Sequence, residues 1–160
     1  RGERGDHLVL VQTPHALPPA VVCPLICYDL RFPELFRLGA LAGAEIFTLG
    51  ASWPAPRQHH WRALAIARAI ENQAYVVALN RCGNDPHLPY AGGSIIVSPR
   101  GDVLAEADDQ PAVLKADLDM DDLRSWREQF PVLADVHREL LGRIECQGEL
   151  DGRPELPRPR

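Results

Sequence analysis

Cys27 stands where two kinds of sequence meet. Before it runs Ala20-Val21-Val22-Cys23-Pro24-Leu25-Ile26, apolar and β-branched, and after it Tyr28-Asp29-Leu30-Arg31-Phe32-Pro33-Glu34 leads into a helical pattern. A thiol that ends a buried strand just ahead of a helix is held at the carboxyl edge of a sheet, where the helix N-terminus favours negative charge. The backbone N–H of Tyr28 is then free to donate to an oxyanion. Such a placement suits the nucleophile of an acyl transfer. From position alone a buried structural cysteine is the commoner reading, since free cysteines are among the residues most often found in cores.

Other reactive residue types carry weaker patterns. His59 and His60 invite a Cys–His dyad with Cys27, or a metal site with Cys23 and Cys82. Adjacent helical residues point about 100° apart, so at most one of the two faces a given site. The spacings match no zinc pattern, and neither a metal nor a cofactor is expected. Packing or solvent exposure is the expectation for both histidines. Cys23 should fill the core, and Cys146 receives no role. Arg31 and Glu34 should enter a structural ion network, with each other or with the long helix, because buried charges need partners. Arg68 and Glu71, three apart on one helix, read as a further pair.

The elements that must position these residues are short. Strands are expected over His7–Val11, Ala20–Ile26, Glu45–Gly50 and Ala74–Asn80, with Pro24 a local irregularity in the second. Pro33 suits the first position of a helix whose apolar face is Leu35, Phe36, Leu38, Leu41 and Ala42, ended by Gly43. His59–Gln73 is the clearest helix, with Trp61, Leu64, Ala65, Ile66, Ala69 and Ile70 on one broad face. After a loop at 83–89, strands are expected over Ser94–Ser98, Val103–Glu106 and Val113–Asp117, then helix over Asp121–Glu128 and again over 134–145. Strand and helix alternating, followed by hairpins, means a layered α/β domain.

Bulk properties narrow the function. The chain has 160 residues, 46% hydrophobic and 24% charged, which suits one soluble domain. A net charge of −5 with scattered arginines argues against nucleic-acid or anionic-membrane partners. No apolar stretch approaches the roughly 18 residues of a membrane span, and the charged first residues lack a secretory h-region. Irregularly spaced cysteines at 23, 27, 82 and 146 read as reduced cytoplasmic thiols.

The segment from Cys27 to Glu34 resembles the nucleophile segment of the nitrilase, or carbon–nitrogen hydrolase, superfamily. The resemblance continues in register through Ala51-Ser52-Trp53-Pro54, His60-Trp61, Ala67-Arg68-Ala69-Ile70-Glu71-Asn72-Gln73, Asn80-Arg81-Cys82-Gly83, Gly93-Ser94 and Ser98-Pro99-Arg100-Gly101. It covers roughly residues 5 to 135. Trp53-Pro54-Ala55-Pro56-Arg57 and Arg127-Glu128-Gln129-Phe130-Pro131 are similar to the omega-amidase branch, whose enzymes cleave the terminal amide of short 2-oxo dicarboxylic acid monoamides.

The resemblance implies attack by Cys27 on a small linear amide, a thioester, and release of ammonia. It implies pocket-lining roles for Tyr28, Ala51, Ser52 and Trp53, with sheet-edge packing the alternative for Ala51 and Trp53. It also implies a Glu general base and an oxyanion-binding Lys well upstream of the Cys. Upstream of Cys27 there is no Lys and the only Glu is Glu3, while the sole Lys, Lys115, matches no catalytic position. The expected fold is therefore part of a four-layer αββα sandwich with its N-terminal portion missing. Residues 1–145 form the C-terminal portion of a single domain, and 146–160 form a disordered Pro/Arg-rich tail. The chain by itself is expected to be inactive, and the full-length protein to be a homo-oligomer. A truncated pseudoenzyme, kept as a binding or assembly partner, is the competing expectation.

Overall fold

In the computed structural model, residues 7–14 and 18–141 are described, together with the backbone of 145–147. The elements run β1 (His7–Val9), β2 (Val11–Gln12), β3 (Val21–Ile26), α1 (Pro33–Leu41), β4 (Ile46–Ala51), α2 (Gln58–Asn72) and β5 (Tyr75–Asn80). They continue through β6 (Cys82–Asn84), β7 (Pro89–Ala91), β8 (Ile95–Val97), β9 (Val103–Glu106), α3 (Met120–Gln129) and β10 (Glu145–Gln147).

Alternation along the strands explains the main sheet. Val21, Cys23 and Leu25 of β3, Phe47 and Leu49 of β4, and Val76 and Ala78 of β5 are all buried, as every second residue of a pleated strand must be if one face is covered. The cover is α1 and α2, whose Phe36, Ala40, Trp61, Ala65 and Ala69 join those residues in one core. β3, β4 and β5 are parallel neighbours, with Ile26 opposite Gly50 and Ala51 opposite Asn80. β2, β8 and β9 complete the order β2-β3-β4-β5-β8-β9 by antiparallel pairing. The helix layer sits close: a Cβ on Gly39 of α1 would lie 2.9 Å from Cε1 of Phe47.

The opposite sheet face is more open, with Ile26 72% and Leu79 57% exposed. At its amino end α3 covers it, packing Met120 and Leu123 against Ala20 and Tyr75. Arginines fasten that end. Arg124 pairs with the buried Glu45 at 2.9 Å, and Glu45 also accepts from the Val21 N–H. Arg127 donates to the carbonyls of Gln73 (2.9 Å), Ala44 (2.8 Å) and Asn72 (3.3 Å). A helix layer on a sheet layer makes up two of the four layers expected.

Several expectations are corrected. The strand over His7–Val11 is divided at Leu10, because β1 pairs in parallel with β10 while β2 pairs with β3. Val113–Asp117 is not a strand: Leu114 and Ala116 are half-buried between exposed neighbours, so burial has the period of a strand but no backbone ladder forms. The helix expected over 134–145 is replaced by 3-10 turns at Val132–Asp135 and Arg138–Leu140 and then by β10. Leu140 is 81% exposed, and without a buried face an α-helix is not sustained. The loop at 83–89 is the tip and part of both arms of the β6–β7 hairpin. β10 takes in Cys146 and Gln147 of the stretch read as a tail, and 148–160 lie outside the described residues.

Candidate active site

The carboxyl ends of the parallel strands are where an open α/β sheet binds ligands. β3 ends at Ile26, β4 at Ala51 and β5 at Asn80, so register brings Cys27, Ala51 and Asn80 side by side along that edge. The three come from separate stretches of sequence.

Cys27 opens a 3-10 turn, Cys27–Arg31, instead of preceding the α-helix directly; α1 starts only at Pro33. Its φ is +40°, in the left-handed region that side chains other than glycine's avoid. Such strain persists only where the surroundings over-determine it. Here the Ile26 N–H donates to the Asp29 carboxylate at 2.8 Å, Phe32 N–H closes back on the Asp29 carbonyl at 2.9 Å, and Leu30 is fully buried beneath. Cys27 is half-buried and packs against the main core. Cys23, four residues earlier on β3, is fully buried as core filler.

The proposed pocket residues divide. Tyr28 is 65% exposed, its ring edge-on to Phe32 at 5.4 Å. Ala51 is half-buried and Ser52 exposed. Trp53 is core: buried, tilted against Trp61 at 5.8 Å, with its indole N–H donating to the Arg57 carbonyl at 2.8 Å. The Arg31 guanidinium lies over the same ring, 4.8 Å from its centroid, and Nη2 reaches Nδ1 of His60 at 3.5 Å. Arg31 therefore turns to the long helix, while the exposed Glu34 makes no ion pair among the described residues. Desolvation, then the positive charge of His59, Arg31 and Arg57, holds the His60 imidazole below the usual histidine value. The two histidine rings pack on each other at 4.1 Å.

Two organising residues were not foreseen. Asn80, buried, accepts from the Trp53 N–H at 2.7 Å and donates to the Gly92 carbonyl at 2.6 Å, tying the loop after β4 to the loop before β8. Gln58, at the start of α2, donates to the same carbonyl at 3.1 Å. A polar residue ending an otherwise apolar strand was the available signal for Asn80. Arg68 was expected to pair with Glu71 and does, at 2.9 Å, but it also donates twice to the Leu30 carbonyl, from Nε at 3.2 Å and Nη2 at 2.9 Å. Beside the edge, the β6–β7 hairpin is pinned by Asp85, which accepts from the His87 and Leu88 N–H groups and from Tyr90 Oη. The Tyr90 hydroxyl, then those N–H groups, holds the Asp85 carboxyl below the usual carboxylate range.

Comparison with known proteins fits this arrangement. The family model for carbon-nitrogen hydrolases matches residues 2–128. The 2-oxoglutaramate amidase of Bacillus subtilis is 44% identical over 116 residues, 72% of this chain and 45% of that protein. The omega-amidase YafV of Escherichia coli K12 is 47% identical over 117 residues, again 72% of this chain and 45% of that protein. The chain thus spans about half the length of the curated relatives it matches. Among solved structures, XC1258 of Xanthomonas campestris, a CN-hydrolase superfamily protein with an arsenic adduct in its active site, superposes with TM-score 0.76 at 30% identity over 85% of this chain and 52% of that one. Saccharomyces cerevisiae Nit3, of branch 10 of the nitrilase superfamily, gives TM-score 0.67 at 34% identity over 74% of this chain and 44% of that one. By family model, sequence and fold alike, the chain belongs to the carbon–nitrogen hydrolases, in their omega-amidase-like part.

Proposed function

We propose that Cys27 is the nucleophile of an amidase that hydrolyses the terminal amide of a small 2-oxo dicarboxylic acid monoamide. The observation that carries this reading is the left-handed Cys27 at the carboxyl end of β3, beside Ala51 and Asn80. A strained residue with a reactive side chain at a ligand-binding edge is what a pre-organised nucleophile needs.

The thiolate attacks the amide carbon, and the C=O π pair passes to oxygen as the S–C bond and the tetrahedral oxyanion form. The Tyr28 N–H, at the opening of the Cys27–Arg31 turn, is a donor this chain supplies for that charge. Collapse expels ammonia, which takes a proton as it leaves, and gives the thioester; water then releases the acid and restores the thiol. Ala51, Ser52 and Tyr28 border the site, and Trp53 supports it from the core.

The relatives named as omega-amidases and 2-oxoglutaramate amidases support the substrate class. The proton transfers and the remaining oxyanion contacts belong, by resemblance, to a Glu and a Lys that no residue before Cys27 matches. We accordingly expect no ammonia release from the 160-residue chain alone. The active form is a homo-oligomer, and the irregular spacing of Cys23, Cys27, Cys82 and Cys146 suits a cytoplasmic protein.

The test measures ammonia release from 2-oxoglutaramate and simple amides, by this chain and by the longest in-frame polypeptide that contains it. Activity confined to the longer polypeptide and abolished by Cys27→Ala is expected. Turnover retained by that variant sinks the nucleophile assignment, and a genuine start codon directly ahead of the Arg1 codon favours the pseudoenzyme.

A further inference from the structure

We infer that Arg68 is a positioning residue for Cys27, gripping the Cys27–Arg31 turn by its last free carbonyl. The inference rests on Cys27 being the reacting group.

The need for a grip is written in the sequence. A 3-10 turn satisfies each carbonyl from the N–H three residues on. For Leu30 that residue is Pro33, which has no N–H to give. The proline that starts α1 therefore leaves an acceptor open at the end of the turn whose first residue is Cys27. Arg68 fills it with two donors, from Nε and Nη2. Its third point, Nη1, is held by Glu71, and the Phe36 ring lies 5.5 Å from the guanidinium carbon. With its side chain only 6% exposed, Arg68 has no freedom to lie elsewhere.

This grip bears on Cys27 in particular. Left-handed backbone at a side-chain-bearing residue relaxes unless both ends of its turn are fixed. The front end is fixed by Asp29, which accepts from the Ile26 N–H. The rear end is fixed by Leu30, through its buried side chain and its carbonyl. Take away the guanidinium and the rear is held only by packing and by the Phe32 N–H bond to the Asp29 carbonyl, so φ of Cys27 falls back toward ordinary values and the thiol loses its fixed direction. A guanidinium suits this task better than an ammonium, since its fixed fork gives two bonds converging on one oxygen and a third to a carboxylate.

The experiment is alkylation of the 160-residue chain by iodoacetamide, with the rate read by mass at Cys27 and with Cys23 and Cys82 followed in the same digest. Arg68→Met should slow Cys27 by about tenfold, the scale of a lost charged hydrogen bond. Arg68→Lys, with one donor in reach, should recover part of the rate. Arg124→Met removes an ion pair at the far edge of the sheet; it should lower the melting temperature and leave the Cys27 rate unchanged. If Arg68→Met does not fold, Glu71→Gln should still slow Cys27 by about threefold, by loosening the fork. A rate within twofold of the parent for Arg68→Met, or for Glu71→Gln in its place, overturns the inference. So does an equal slowing by Arg124→Met, or a Lys variant no faster than Met. Ammonia release that survives Cys27→Ala would instead overturn the nucleophile assignment and leave these rates readable.

Discussion

Among the described residues, Cys27 and Gln73 are the non-glycine positions with positive φ, at 40° and 45°, and they lie at opposite edges of one sheet. Gln73 ends α2. Its N–H closes on Ala69 and Ile70, Ala74 N–H reaches back to Ala69, its side chain donates to the Phe130 carbonyl, and its own carbonyl accepts from Arg127. A left-handed residue there is how helices commonly stop. Cys27 follows a strand, with no helix to terminate. One conformation thus ends an element and the other aims a side chain. In both cases an arginine from another helix holds a nearby carbonyl, so the strain is supported locally rather than tolerated.

The comparison breaks most readily at Gln73. Arg127→Met removes the donor shared by three carbonyls and should cost roughly 2 kcal/mol, a fall of about 6 °C in melting temperature by calorimetry. An unchanged melt would mean that the amino edge is held by packing alone. A smaller effect of opposite sign is expected at the other edge. Cys27→Gly relieves left-handed strain and should stabilise by about 1 kcal/mol relative to Cys27→Ala. Gln73→Gly should gain less, because it loses a buried side chain and the bond to Phe130. Equal gains at both sites, measured by urea unfolding, would show that Cys27 is an ordinary cap.

The least effect belongs to the hairpin beside the site. Asp85 has a folded pKa below its ordinary 3.8, so its contribution is present above that value and is lost as pH falls through the lowered one. Asp85→Asn should flatten the acid limb below about pH 4, by lowering stability at pH 7 slightly while leaving it unchanged in acid. A wild-type acid limb in that variant would remove Asp85 from the account.

Much of the architecture was legible because burial has a period. β3, β4 and β5 bury alternate residues, and α2 puts Trp61, Ala65 and Ala69 on one face, which is the pattern their apolar residues spell. Val113–Asp117 shows the limit of that signal: it has the burial period of a strand without the partner, and partners come from topology. The β6–β7 hairpin was hidden for the converse reason, since Gly83, Asn84 and Pro89 read as loop while their backbone pairs. At the site, the place of Cys27 in strand order was readable from its flanks. Its left-handed backbone was not, nor was the dependence of Leu30 on Arg68, a contact between residues 38 apart.

The row formed by Cys27, Ala51 and Asn80 carries one more consequence. Neighbouring strands lie about 4.8 Å apart, so three strand ends span about 10 Å. That width is set by the hydrogen-bond ladder and by no side chain. Loops can change what is recognised along the edge, but the backbone itself acts as a ruler, and substitutions around the pocket leave its graduation unchanged.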